Sequence, residues 1–473
     1  MKRFLNLFGR TKPRTRRSKF SFAGEALEVR CVLTNASGGT VTAFFDGYSL
    51  YLYGDKNSNS VQIDVSSTGV AITGTAQEPN TDATTIKPLG VALPTTNFTG
   101  LPGGIYVFLY EGNDHLDVTS SFAVHVGGSV YADLGSGNDT ATFSGAADIA
   151  GGLTVLGGTG TDTVSIADNG LHLHVGGSIL IDLGPGVAPT QDSPNIQSAT
   201  IDATSPGSVT VGGGIFLFGS HESTDHLGVN ANGGSIDVTG SIYECGFGGN
   251  DTLGASTNGT AKLTVGGIIA AFGGSGNDTI NINGDPTAVG KIGTTNTPAA
   301  KTISALGFYA FGSAGDDTVA ATGLTTKYDF FVSAGAGNDN VGAANVSVGS
   351  NLYVFGRAGN DRIGADAVHV AGNTILDAGA GDDTVGVNNS KFSGYVFVDL
   401  GSGNDQFAAG GSLDAVDPKK VYLDGGSGTD KINPSRQSLT DAGAHVTNFE
   451  GDLDQTAVAA IIAAFKTAFT PAP

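Results

Sequence analysis

The chain has 473 residues, with 75 Gly, 15 Pro, 39% apolar residues and a formal net charge of −21. Glycine is enriched without the three-residue period of collagen, and the apolar share suffices for a buried core, which argues against low-complexity disorder. Two cysteines, Cys31 and Cys245, exclude a disulfide framework or a zinc site by count, and no run of about 18 apolar residues offers a transmembrane helix.

The charge is divided unevenly. Residues 1–30 hold 9 Lys/Arg against 2 Asp/Glu, and the remainder holds 14 against 42. A body this acidic repels nucleic acid and anionic membrane and favours cations as partners.

Residues 1–33 read as a basic export or targeting tail. Lys2, Arg3, Arg10, Lys12, Arg14, Arg16, Arg17 and Lys19 crowd its start, and Phe4, Leu5, Leu7 and Phe8 are too few for the apolar centre of an ordinary signal peptide. Behind them stand Leu27, Glu28, Arg30, Val32 and Leu33. This stretch resembles the LEPR-XLL motif of large exported bacterial proteins, with Val29 in place of the proline. The resemblance implies export and an extracellular or cell-surface location.

Residues 34–103 hold strand-like runs such as Ser49–Tyr53 and Val61–Val65, and the stretch from Tyr53 to Ile63 looks like a worn copy of a later repeat. Atypical first rungs or a cap are expected here, because the end of a repeat array meets solvent.

Residues 104–447 form the repeat proper. A glycine-rich loop closing on Gly-Asn-Asp, Gly-Asp-Asp or Gly-Thr-Asp recurs, and its last residue is Asp114, Asp139, Asp162, Asp251, Asp278, Asp317, Asp339, Asp361, Asp383, Asp405 or Asp430. From Asp317 to Asp405 the step is always 22 residues. Between 162 and 251 the pattern is disturbed, with degenerate loops at Leu183–Gly186 and Gly219–Asp225 and an insertion over 187–200. Each unit carries three runs of alternating apolar residues, such as Thr384–Val387 and Tyr395–Val398, which predict strands with one buried face. A propeller blade needs about 40–45 residues, so the spacing fits one coil of a parallel β-helix instead. The expected fold is an all-β, three-sided parallel β-helix solenoid. In residues 448–473 the period changes: Val458, Ile461, Ile462, Phe465, Ala468 and Phe469 take helical spacing before Pro471, which predicts a capping helix.

The loops Gly157–Ser165, Gly273–Asn281 and Gly425–Asn433 resemble the haemolysin-type (RTX) nonapeptide, G-G-x-G-x-D-x-U-x, at every fixed position. The resemblance implies Ca²⁺ as cofactor, with the eleven aspartates above as candidate ligands. This chain departs from the family by placing one nonapeptide in each coil rather than two in tandem, so it allows a single ion column. The chemistry supports an ion on independent grounds. Carboxylates stacked at about 4.8 Å repel by roughly 3–4 kcal/mol at an effective dielectric near 20. Ca²⁺ takes hard oxygen ligands of this kind. The rival reading is metal-free: Asn and Asp are ordinary turn residues, and the Asn row can form a side-chain ladder with no ion.

Enzymatic readings are weaker. Pectin-type lyases and polygalacturonases share the rung length but need charged residues that break the repeat, whereas Asp316-Asp317 and Asp382-Asp383 stay in register with the other loops. His221–His226 has its second histidine one place too late for a zincin, and His172 and His174 alternate on one strand face. The expected function is an exported calcium-binding solenoid with a structural, surface or adhesion role, with surface glycans or matrix proteins as candidate partners. A polysaccharide lyase or hydrolase and a metal-free spacer are the alternatives.

Overall fold

The structure is a computed structural model and describes residues 39–76, 83–88, 95–100, 102–187, 195–284, 302–410 and 417–468. The basic tail, the LEPR-like motif, Cys31 and Phe469 lie outside them.

The chain winds into an all-β parallel solenoid of about 12 turns. Each regular coil supplies three strands, as in Arg362–Asp366, His369–Val370 and Thr374–Ala380. Each strand pairs in parallel with its counterpart in the next coil, through Ile363↔Val385, Val370↔Phe392 and Leu376↔Val398. The alternation that predicted strands is the alternation of burial. Val385, Val387, Phe392, Leu376 and Val398 point inward and are all but sealed from solvent. Side chains between them face out, and several stack ring on ring along the axis, including Phe272 with Phe311 at 5.0 Å and Phe397 with Tyr422 at 5.1 Å. Such cross-strand pairs stabilise the sheet face on which they sit.

Both ends are closed. At the N-terminal end Thr40–Phe45 runs antiparallel to Ser49–Tyr53, and Ser60–Ser66 runs antiparallel to Gly69–Gly74. The second and third of these strands then pair in parallel with the next coil, through Leu50↔Ile105 and Val61↔Leu116. Residues 40–74 therefore form a pair of hairpins laid on the first edge. At the other end lie two helices, α1 (Arg436–Ala442) and α2 (Gln455–Ala468). Asp454 accepts the Ala457 N–H at 2.7 Å, an N-cap, and Val458 and Ile461 bury against Ala408 and Leu453. Helix α2 thus covers the last coil, as its spacing predicted.

The zone between 162 and 251 is more regular than its sequence. Ile196–Thr204 is a strand, in register through Val164↔Ala199 and Ala199↔Leu227. The insertion expected over 187–200 is narrower, and residues 188–194 fall outside the described set.

The aspartate column as candidate functional site

All eleven predicted aspartates stand in one column, each immediately before a strand, and each is at most 2% exposed. Their carboxylates turn into the solenoid rather than toward solvent. Oδ1 of each accepts the backbone N–H of the residue one rung earlier. Asp317 donates to Asp339 at 2.7 Å, Asp339 to Asp361 at 2.8 Å, and Asp383 to Asp405 at 2.7 Å. The column is longer than its motif. The register inserts Gln197 and Asp225 between Asp162 and Asp251, begins the column with Asn59, and ends it with Glu450. The Asn59 N–H donates to Asp114 Oδ1 at 2.6 Å, and the Asp430 N–H donates to Glu450 Oε2 at 2.8 Å. Sequence reasoning missed these four because their loops lack the glycine pattern. The worn repeat ending near Ile63 and the degenerate loop at 219–225 were the available signals for Asn59 and Asp225.

One place earlier in each loop, a second ladder runs on the surface with the opposite polarity. Here each backbone N–H donates to the side chain of the preceding rung: Asn360 to Asn338 at 2.8 Å, Asp382 to Asn360 at 2.7 Å, and Asn404 to Asp382 at 2.8 Å. The glycine before it is required on two counts. Gly381 has φ of 137°, and a Cβ there would collide with the Gly359 carbonyl.

Oδ2 of each of the eleven predicted aspartates is buried without a hydrogen-bond partner. Burial disfavours the charged form and is the largest cause of a raised pKa along the column. It pushes Asp361 and Asp405 up to about 7, Asp383 up to about 6 and Asp114 up to about 8. Neighbouring column aspartates add to the rise at Asp114, Asp361 and Asp405, whereas the backbone hydrogen bond to Oδ1 opposes it.

An orphaned oxygen of this kind is what a bound cation would satisfy, so the donor set can be compared with calcium's needs. Ca²⁺ takes about six to eight oxygens. Here one oxygen of each carboxylate is already engaged by an N–H. Successive carboxylates stand on successive rungs, and among the described residues no group of three or more His, Cys, Asp or Glu is placed to hold a metal ion. Oδ2 of Asp278, Asp317 and Asp361 lies where a Cβ on Gly273, Gly312 or Gly356 would sit, so the glycine is what admits the carboxylate. As placed, these residues do not fit a calcium cage.

Two further groups stand apart from the column. Glu244 is fully buried in the inward row between Leu217 and Ala271, neither carboxylate oxygen has a partner, and burial pushes it up to about 8. On the outside, His125 Nδ1 lies 2.9 Å from Asp148 Oδ2 and His174 Nε2 lies 4.0 Å from Asp148 Oδ1, while His172 bonds Ser208. The two histidines weighed as a pair in sequence therefore have different partners.

No family model matches the chain, and comparison with curated proteins and with solved structures gives no match.

Proposed function

We propose that this chain is the structural rod of an exported bacterial surface protein, a stiff spacer rather than a catalyst. One observation carries the reading. Side-chain-to-backbone ladders recur from rung to rung, pinning Asn360, Asp382 and Asn404 on the surface and Asp361, Asp383 and Asp405 within. The repeated investment is in holding coil to coil. The paired carboxylates Asp316-Asp317 and Asp382-Asp383, weighed above as catalytic, divide their work between these two ladders.

Export rests on the LEPR-like stretch and on the acidic body, which stays soluble at high net charge. A surface or adhesion role follows from the long outward faces, with surface glycans or matrix proteins as the partners to test. Negative-stain microscopy of the purified chain should show rods of about 58 Å, from about 12 turns at roughly 4.8 Å each. Protease accessibility on intact bacterial cells should place an epitope-tagged chain outside. Retention in the cytoplasm would overturn the export reading, and cleavage of a polysaccharide panel that is lost in Asp382→Asn would replace the spacer with an enzyme.

A further inference from the structure

We propose that the aspartate column is a metal-independent ladder of neutral carboxylic acids, completed by protons rather than by calcium. The inference does not depend on where the rod is displayed.

Three observations lead to it. The first is the misfit with calcium, because one oxygen of each carboxylate is already engaged by an N–H and no group of three or more His, Cys, Asp or Glu gathers to hold a metal ion among the described residues. The second is that Oδ2 of each of the eleven motif aspartates is sealed from water and unpartnered, Asp225 alone having its Oδ2 engaged, by the Ser220 N–H. An ionised carboxylate there would face its neighbours across one strand spacing with no counter-charge and no hydration. The third is independent of the aspartates. The same column position is held by Asn59 and Gln197, neutral side chains that are themselves fully buried, and each keeps an unpartnered oxygen, Asn59 Oδ1 and Gln197 Oε1. At both buried places where the column departs from aspartate it uses an uncharged amide, whereas Glu450, the charged departure, stands exposed at the column's end. A protonated carboxyl is the nearest aspartate equivalent to those amides.

The surrounding charges point the same way. Among the described residues, the groups outside the column that act on it are Asp55 on Asp114, Asp316 on Asp317, Asp339 and Asp361, Asp377 on Asp383, and Asp382 on Asp383 and Asp405. Asp424 and Glu450 act on Asp430. All are acidic and favour the neutral form. His226 beside Asp225 is the base among these neighbours, and its effect is the smallest of those at that residue.

The sign follows from linkage. A carboxyl whose folded pKa lies above its unfolded value of about 3.9 stabilises the fold at low pH and loses that contribution as pH rises through the folded value. For this column the loss falls between about pH 4 and pH 8.

The test is thermal unfolding of the full chain from pH 5 to pH 8.5, with Ca²⁺, Mg²⁺ or EGTA, beside the triple variant Asp339→Asn/Asp361→Asn/Asp383→Asn. The expected result is a wild-type midpoint that falls by several degrees between pH 5 and pH 8.5 and does not move with Ca²⁺ against EGTA. The triple variant should match wild type at pH 5 and exceed it at pH 8.5. A midpoint that is flat across this range overturns the proposal. So does a Ca²⁺-dependent rise that the triple variant loses. If the triple variant does not fold, the wild-type pH and metal series decides the question alone, with equilibrium dialysis against Ca²⁺ as its second readout.

Discussion

The backbone N–H of Asp361 donates to Oδ1 of Asp383, 22 residues on, at 2.7 Å. The residue that closes one loop is thereby the anchor of the loop before it. Its two side-chain oxygens do different things: Oδ1 joins rungs, and Oδ2 is a buried liability. Substitutions can separate those roles. Asp383→Ala removes the acceptor and strands the Asp361 N–H in a dry corner. It should cost about 1–3 kcal/mol by urea unfolding at pH 5, and less at pH 8, where the variant also removes an unfavourable buried charge. Asp383→Asn keeps the acceptor and should leave stability at pH 5 close to wild type. Equal losses for the two would show that Oδ1 is not what binds the rungs.

Glu244 offers a cleaner reading of burial. Its neighbours in the inward row are Leu217 and Ala271, so Glu244→Leu repeats a side chain the row already holds. Burial pushes Glu244 up to about 8, above an unfolded value of about 4.3. Its stabilising contribution is therefore present below about pH 4 and is lost as pH rises through 8. The leucine variant should be more stable than wild type by about 1–3 kcal/mol at pH 9, with a smaller gain at pH 5. A gain that does not grow with pH would show that Glu244 has a partner in solution.

The glycine of each loop can be tested against a glycine in open space. Gly381 combines φ of 137° with a close approach to the Gly359 carbonyl, whereas Gly47 has φ of 93° and nothing within 4 Å of a Cβ. Gly381→Ala should cost about 2–4 kcal/mol, because strain and collision add, and Gly47→Ala only about 1. Chemical denaturation of the two single variants decides it, and similar costs would remove the collision from the account.

The caps should matter for solubility more than for the interior. Val458 and Ile461 bury against Ala408 and Leu453, so Val458→Asp with Ile461→Asp should lift α2 and bare the last coil's edge. Size-exclusion chromatography should then show concentration-dependent oligomers while the far-UV strand signal persists. A variant that stays monomeric would mean the last coil is protected by something other than α2.

How much of this was legible beforehand depends on what the repeat encodes. Ile280 and Ile282 announce their burial by alternation, and the 22-residue step announces the coil, because the same contacts must recur at each rung. Helix α2 was legible for a similar reason, since Val458 and Ile461 mark one face. The direction of Asp278 was not legible. A turn residue before a strand can point either way, and only the pairing of Asp251 N–H with Asp278 Oδ1 at 2.9 Å shows the carboxylate turned inward. Glu450 was hidden because it closes the column after the glycine pattern has ended. Gln197 was hidden beside a stretch where insertion masks the count.

The opposed polarity of the two ladders has a consequence for how such a chain can change its length. Asp361 reaches forward to Asp383, while Asn360 reaches back to Asn338, so neighbouring residues clasp the coils on either side. Excising residues 340–361 would bring Arg362 behind Asp339 and leave both clasps intact, between Asn338 and Asp382 and between Asp339 and Asp383. A cut that is not a multiple of 22 residues in this stretch would slip the clasps out of phase. The rod can therefore be lengthened or shortened like a chain of identical links, with the end pieces untouched.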